Sequence, residues 1–197
     1  MAKAAQKGDC LLIHISTDYV FDGTATTPYT EKIKTCPVSV YGKTKLAGEE
    51  AIIRSGCFYI IIRTAWLYSA FGHNFVKTIL RLAEERPEIN VVSDQIGTPT
   101  YTYDLARLLV DMIETEKYGY YHATNEGGYI SWYDFTKEIF RQAGMDVKVI
   151  PVSSAEYPAK AKRPSNSRME KKKLEEHGFT RLPDWKDALG RYLKEIM

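Results

Sequence analysis

The chain is poor in cysteine. Cys10, Cys36 and Cys57 are an odd number at wide spacing in 197 residues. They form no C-x-x-C pair and no disulfide framework, which excludes a zinc knuckle, a dithiol redox centre and a disulfide-stapled secreted scaffold. A reducing cytoplasm is the expected compartment. Long apolar runs are lacking too: nothing approaches the roughly 18 residues of a membrane span, and Met1–Asp9 is too polar for a signal peptide, so no membrane partner is expected. Charge of one sign is also lacking. Lys and Arg number 27 against 25 Asp and Glu, a formal net charge of +2, which is too mild to make nucleic acid an obligate partner. Glycine is scattered. None of the 13 glycines lies two or three residues from another, so no Gly-x-Gly turn is present to cradle a pyrophosphate. The four histidines, at 14, 73, 122 and 177, show no ligand spacing, and His14, in an apolar run, reads as a hydrogen-bonded core residue.

What is there suits a soluble α/β protein of one domain, or one domain and a small lobe: 44% apolar and 26% charged residues. Strand and helix signals alternate. Cys10–Ile15 and Cys57–Ile62 are short, nearly continuous apolar runs of the kind buried on both faces of a parallel sheet. Ile89–Val92, Tyr120–Ala123 and Val147–Pro151 are further strand candidates. Helical spacing covers Val38–Ser55, Phe75–Glu85, Tyr103–Glu116, Ser131–Ala143 and Trp185–Ile196. Ser131-x-x-Asp134 resembles a capping box at the start of the fourth helix. A helical stub before a buried parallel strand is an odd beginning for a domain, and the sheet reads as the second half of something larger.

Chemistry concentrates after the first strand. Ser16-Thr-Asp-Tyr-Val-Phe21 lies at a strand's carboxyl end, where open α/β sheets place ligands, and about twenty residues without helical period follow. The next helix carries Tyr41-Gly-Lys-Thr-Lys45. Tyr41 and Lys45, at i and i+4, project from one face of it. A phenol ordinarily titrates near pH ~10, and a neighbouring ammonium favours its ionised form, which suits acid–base work at neutral pH. A Thr17 hydroxyl would then hydrogen-bond a substrate carbonyl. The pattern alone is weak. With 14 tyrosines in the chain, chance alone yields about one Tyr-x-x-x-Lys pair, and Tyr133/Lys137 is a second instance. Only Tyr41/Lys45 follows a strand that ends in Ser-Thr.

These residues resemble the active-site strand and helix of the extended short-chain dehydrogenase/reductases. Within them, the segments 16–23 (STDYVFDG), 37–49, 63–68 (RTAWLY), 94–100 (DQIGTPT), 121–127, 131–135 (SWYDF) and 163–167 (RPSNS) are similar to the dTDP-4-dehydrorhamnose reductase family, in order along nearly the whole chain. The resemblance implies reduction of a 4-keto sugar nucleotide with NADPH or NADH. By it, Tyr41 donates the proton, Lys45 supports the phenol and holds the nicotinamide ribose, and Thr17 polarises the keto group. Asp18 and Trp66 line the sugar pocket. The family's Gly-rich dinucleotide loop has no counterpart here, so the resemblance also implies that the N-terminal dinucleotide-binding half is missing and that the isolated chain binds dinucleotide very weakly.

The expected fold is therefore α/β: residues 1–92 as the second half of a Rossmann-type parallel sheet, and 93–197 mainly as a small substrate lobe with segments returning to the sheet. The expected partners are the sugar nucleotide, a second copy of the chain, or a complementing N-terminal half. Plainer roles stand beside these. Thr17 is also a natural cap for the turn after a strand. Trp66 is equally an ordinary core aromatic, and Arg63 serves a diphosphate or pairs with a core-edge carboxylate. Lys160–Lys173 holds seven basic residues and one acid; it reads as a solvated loop or a diphosphate edge, anchored by Met169 and Leu174. Two rival functions remain at this point: a non-catalytic regulatory module, and another sugar-nucleotide epimerase or dehydratase.

Overall fold

A computed structural model describes residues 1–157 and 163–197. In chain order the elements are α1 (Ala2–Lys7), β1 (Leu12–Thr17), a 3-10 turn (Asp18–Val20), α2 (Val40–Ser55), β2 (Tyr59–Thr64), β3 (Leu67–Tyr68), α3 (Phe75–Glu85), β4 (Glu88–Val92), β5 (Ile96–Gly97), β6 (Thr100–Tyr101), α4 (Thr102–Ile113), β7 (Gly119–His122), β8 (Ile130–Ser131), α5 (Trp132–Ala143), β9 (Lys148–Val152), α6 (Lys172–Glu176) and α7 (Trp185–Ile196).

The central sheet is parallel, in the order β1-β2-β7. Its middle strand holds Ile60, Ile61 and Ile62, all fully buried, each worth roughly 1.5–3 kcal/mol of transfer free energy. Ile60 and Ile62 face α4 and the C-terminal segment, against Leu105, Leu108, Met112 and Leu174. Ile61 faces the other way, with Ile52 of α2 and Cys57. This alternation is the strand period of two expressed as two cores. β1 runs two residues further than its apolar pattern suggested, because pairing continues through Ser16↔Arg63 and Thr17↔Thr64. Leu12–Ile15 are only half-buried, against the expectation of a strand covered on both faces. Among the described residues only β2 pairs with β1.

A further core joins α3, α5 and α7 to the parallel pair β4–β9, around Tyr68, Val76, Ile79, Phe135, Leu189 and Tyr192. Helix ends follow local rules. Ser39 caps α2 by accepting from Gly42 N–H at 3.0 Å, and Ser131 and Asp134 make the full capping box of α5. Four two-residue strands, β3, β5, β6 and β8, carry no periodic signal and arise from tertiary pairing alone.

The long loop after β1 is ordered by a distant partner. Tyr29 N–H donates to Arg168 O at 2.8 Å, Glu170 N–H donates to Tyr29 O at 2.8 Å, and the Asn166 amide donates to Ala25 O and Thr27 O at 2.8 and 3.1 Å. The same segment bonds β5, with Ile96 N–H donating to Ser165 O and Ser167 N–H to Ile96 O. Residues 163–170 therefore clasp the 18–37 loop to β5.

Candidate active site at the carboxyl end of β1

Thr17 closes β1, and its side chain works locally. Its Oγ1 accepts from Tyr19 N–H at 3.2 Å and donates to Asp18 Oδ1 at 2.9 Å. The capping role is thus present, and the hydroxyl proton expected for a carbonyl is held by Asp18. Asp18 is nearly fully buried; its second oxygen accepts from Ser167 Oγ at 2.5 Å. Burial pushes this carboxyl up to about 6 against the pull of both hydroxyl donors.

Tyr41 lies in the first turn of α2 with 54% of its surface exposed, and its ring meets Tyr19 edge-on at 5.6 Å. Gly42 explains the proximity. A Cβ there would fall 2.1 Å from the Tyr19 carbonyl oxygen, so only glycine lets the helix start press onto the turn after β1. One turn on, Lys45 Nζ donates to Ile15 O at 2.5 Å. That bond tethers the ammonium to the strand two residues before Thr17. Arg163 is exposed, and its charge opposes the upward push that burial and Asp18 exert on the Tyr19 phenol. Thr17, Asp18, Tyr19, Tyr41 and Lys45 thus gather around one strand end.

Trp66 stands on the other side of the clasp. It is half-buried and left-handed, with φ of 50°. Its ring stacks on Trp132, with centroids 3.6 Å and planes 13° apart. A Cβ on Gly97 would lie 2.8 Å from Cε2 and 3.0 Å from both Cζ2 and Nε1 of that indole. The middle of three bonded atoms being nearest places Gly97 over a ring face, and Trp132 occupies the other. Only the edge of Trp66 is left uncovered by this pair.

Other candidates settle into the core. Arg63 is buried and bidentate to Glu49, at 3.0 and 2.7 Å, and its guanidinium lies over the Phe21 and Tyr120 rings; a diphosphate role is thereby displaced. Glu49 also accepts from Ser16. His14 is half-buried with Nε2 unpartnered, not hydrogen-bonded there as expected. In the second Tyr-x-x-x-Lys pair, the Lys137 ammonium sits 4.3 Å over the Tyr133 ring, beside Asp134. Within the basic stretch, Lys171 is buried against Asn125 O and Glu126, and Lys173 donates to Tyr120 O. Arg168 donates to Thr26 O, while Met169 and Leu174 are buried anchors; Lys160 and Lys162 lie outside the described residues. Tyr19, Gly42, Gly97, Trp132 and Ser167 escaped sequence reasoning, since their roles depend on contacts across the fold.

The full length, residues 1–197, matches the RmlD substrate binding domain. A dTDP-4-dehydrorhamnose reductase of Sinorhizobium fredii is 42% identical over 208 residues, covering 100% of this chain and 70% of that protein. The chain belongs to the dTDP-4-dehydrorhamnose reductase family. A solved reductase of that name from Bacillus anthracis, in complex with NADP, superposes with a TM-score of 0.93 at 43% identity, covering 100% of this chain and 69% of that one. Another, from Clostridium acetobutylicum, gives 0.95 at 46% identity, with 99% and 69% covered. The α/β fold with its parallel sheet is the fold of these reductases, and similarity to epimerases and dehydratases is far lower, at 14–17% identity.

Proposed function

We propose that the chain carries the acid–base and sugar-binding part of a reductase that converts the 4-keto group of dTDP-4-dehydro-L-rhamnose to the alcohol of dTDP-L-rhamnose. The observation that supports this reading is that Tyr41 rests on Tyr19 and Lys45 bonds Ile15, the residues two after and two before Thr17 at the end of β1, in a chain matched throughout to reductases of that name. NADPH or NADH, when bound, supplies hydride to C4. Tyr41, exposed at the helix start, gives its phenolic proton to the carbonyl oxygen as that oxygen gains charge. Lys45 stands one turn away, where its ammonium stabilises the phenolate left behind. Its bond to Ile15 O uses one of three protons, leaving donors for a ribose hydroxyl.

Thr17 turns from Asp18 to donate to the same carbonyl oxygen, steadying it against the phenol. Asp18 and the edge of Trp66 border the sugar, and Arg163, exposed near Tyr19, supplies positive charge for the diphosphate. The residues described fit the nicotinamide-ribose end of a dinucleotide. They include no glycine-rich turn for its pyrophosphate, so tight dinucleotide binding is assigned to a complementing portion.

The test is turnover of the 4-keto sugar nucleotide with NADPH and NADH, by the chain alone and with the dinucleotide-binding portion of a related reductase supplied. Replacing Tyr41 with Phe should lower turnover by about 10²–10⁴-fold, the usual worth of a positioned proton donor, with the fold intact because the phenol is exposed. Unchanged turnover would remove Tyr41 from its role, and micromolar dinucleotide affinity of the chain alone would overturn the division of labour.

A further inference from the structure

Ser167 comes from the clasp, 149 residues from the strand end it touches. It is 3% exposed, and its Oγ donates to Asp18 Oδ2 at 2.5 Å. Asp18 Oδ1 in turn accepts the Thr17 hydroxyl proton at 2.9 Å. The backbone of Ser167 is fixed independently, its N–H donating to Ile96 O at 2.7 Å. Ile96 adjoins Gly97, whose backbone covers Trp66. A continuous series of contacts thus runs from the aromatic pair through β5 and Ser167 to the hydroxyl at the end of β1.

We propose that Ser167 is a positioning residue which, through Asp18, sets where the Thr17 hydroxyl proton points. This rests on the reading of Thr17 as a donor to the substrate carbonyl. A carboxylate that receives a donor on each oxygen holds both hydroxyls in fixed directions. With Ser167 in place, Oδ2 is occupied and the carboxylate's charge is shared between two donors, so the Thr17 proton is held at Oδ1 lightly enough to turn to a substrate carbonyl. Without it, the carboxylate has Thr17 as its one side-chain donor and keeps that proton from the substrate. A movement of the clasp that draws Ser167 away has the same effect, which ties the state of the strand-end hydroxyl to the seating of β5 against the loop. The titratable groups around this pair are Tyr19, which feels both Asp18 and Arg163, and Tyr41.

Two measurements on the full chain test the inference. The first follows the Asp18 carboxyl carbon and the Thr17 methyl by NMR across pH, without cofactor. In the parent the two signals should titrate with one midpoint. In Ser167→Ala that midpoint should rise by about half a pH unit or more, since a donor to the charged form is gone, and Ser167→Thr should restore it. The second compares turnover with the dinucleotide-binding portion of a related reductase supplied. Ser167→Ala should lose roughly tenfold in kcat with little change in KM, a fraction of what a direct donor contributes, and Ser167→Thr should recover it. Parent-like titration of Thr17 and Asp18 in Ser167→Ala overturns the inference, as does failure of Ser167→Thr to restore a shifted midpoint. If Thr17→Val abolishes turnover while Ser167→Ala leaves it unchanged, the positioning role falls and the functional reading stands. If Thr17→Val leaves turnover intact, or the parent shows none, the functional reading falls and the NMR titration alone decides the coupling.

Discussion

The Arg63 guanidinium grips the Glu49 carboxylate at 2.7 Å, and both side chains are buried beneath the helix that carries Tyr41 and Lys45. Ser16 donates to the same carboxylate, so β1, β2 and α2 meet at one charged node directly behind the candidate site. Such a pair adds little over a well-packed apolar substitute, but leaving one partner alone is costly.

Glu49→Ala therefore strands a buried guanidinium. Urea unfolding is expected to show a loss of about 3–5 kcal/mol. The double variant Glu49→Leu/Arg63→Met should recover much of it. A loss below 1 kcal/mol in the single variant would show that water reaches Arg63 and that the node is not sealed.

Gly42 is expected to tolerate no side chain. Ala at 42 places a methyl 2.1 Å from the Tyr19 carbonyl, so the first turn of α2 must move and carry Tyr41 with it. Turnover should drop by about tenfold or more, since small misplacement of a reacting group is enough. Melting temperature should fall only modestly, because strain spreads into an exposed helix start. Parent-like turnover would detach Tyr41 from its seat on Tyr19.

Two buried groups give opposite pH responses. His122 is fully buried, with Nδ1 3.1 Å from Tyr29 O and Nε2 unpartnered. Burial first, then the Arg63 charge, pulls it from 6.5 down to about 3. Below pH 6.5 the unfolded chain takes a proton that the folded chain refuses, so stability is lost progressively down to about pH 3, by on the order of 5 kcal/mol in all. Asp18 is raised from 3.8 to about 6, so the folded chain keeps a proton that the unfolded one releases. Its share is present below pH 3.8 and lost as pH rises to about 6, on the order of 3 kcal/mol. His122→Gln should flatten the acid limb of the stability profile. Asp18→Asn should gain stability at pH 7 relative to pH 4. Urea midpoints across pH 3–8 check both, and parallel profiles for all three chains would contradict the burial argument.

The sequence carried the helices well. Phe75–Glu85 and Trp185–Ile196 match their apolar spacing residue for residue, and the Ser131 capping box is real, because these signals are local. β1 was placed two residues early, since Ser16 and Thr17 look like turn residues until Arg63 and Thr64 pair with them. Tyr41, Lys45 and Thr17 stood out as candidates by their order along the chain, and Asp18 by the resemblance. The bonds that decide their chemistry were not readable, because Asp18's partner lies in the clasp and Lys45 reaches back to Ile15. Nor does any spacing rule reveal that Gly97 and Trp132 enclose Trp66.

That enclosure gives the protein a built-in optical reporter. Two indoles stacked 3.6 Å apart in nearly parallel planes share their electronic excitation, which shows as a paired positive and negative band in ultraviolet circular dichroism. Any tilt of Trp66 away from Trp132 would weaken that couplet, so the state of the stacked pair can be watched without a label.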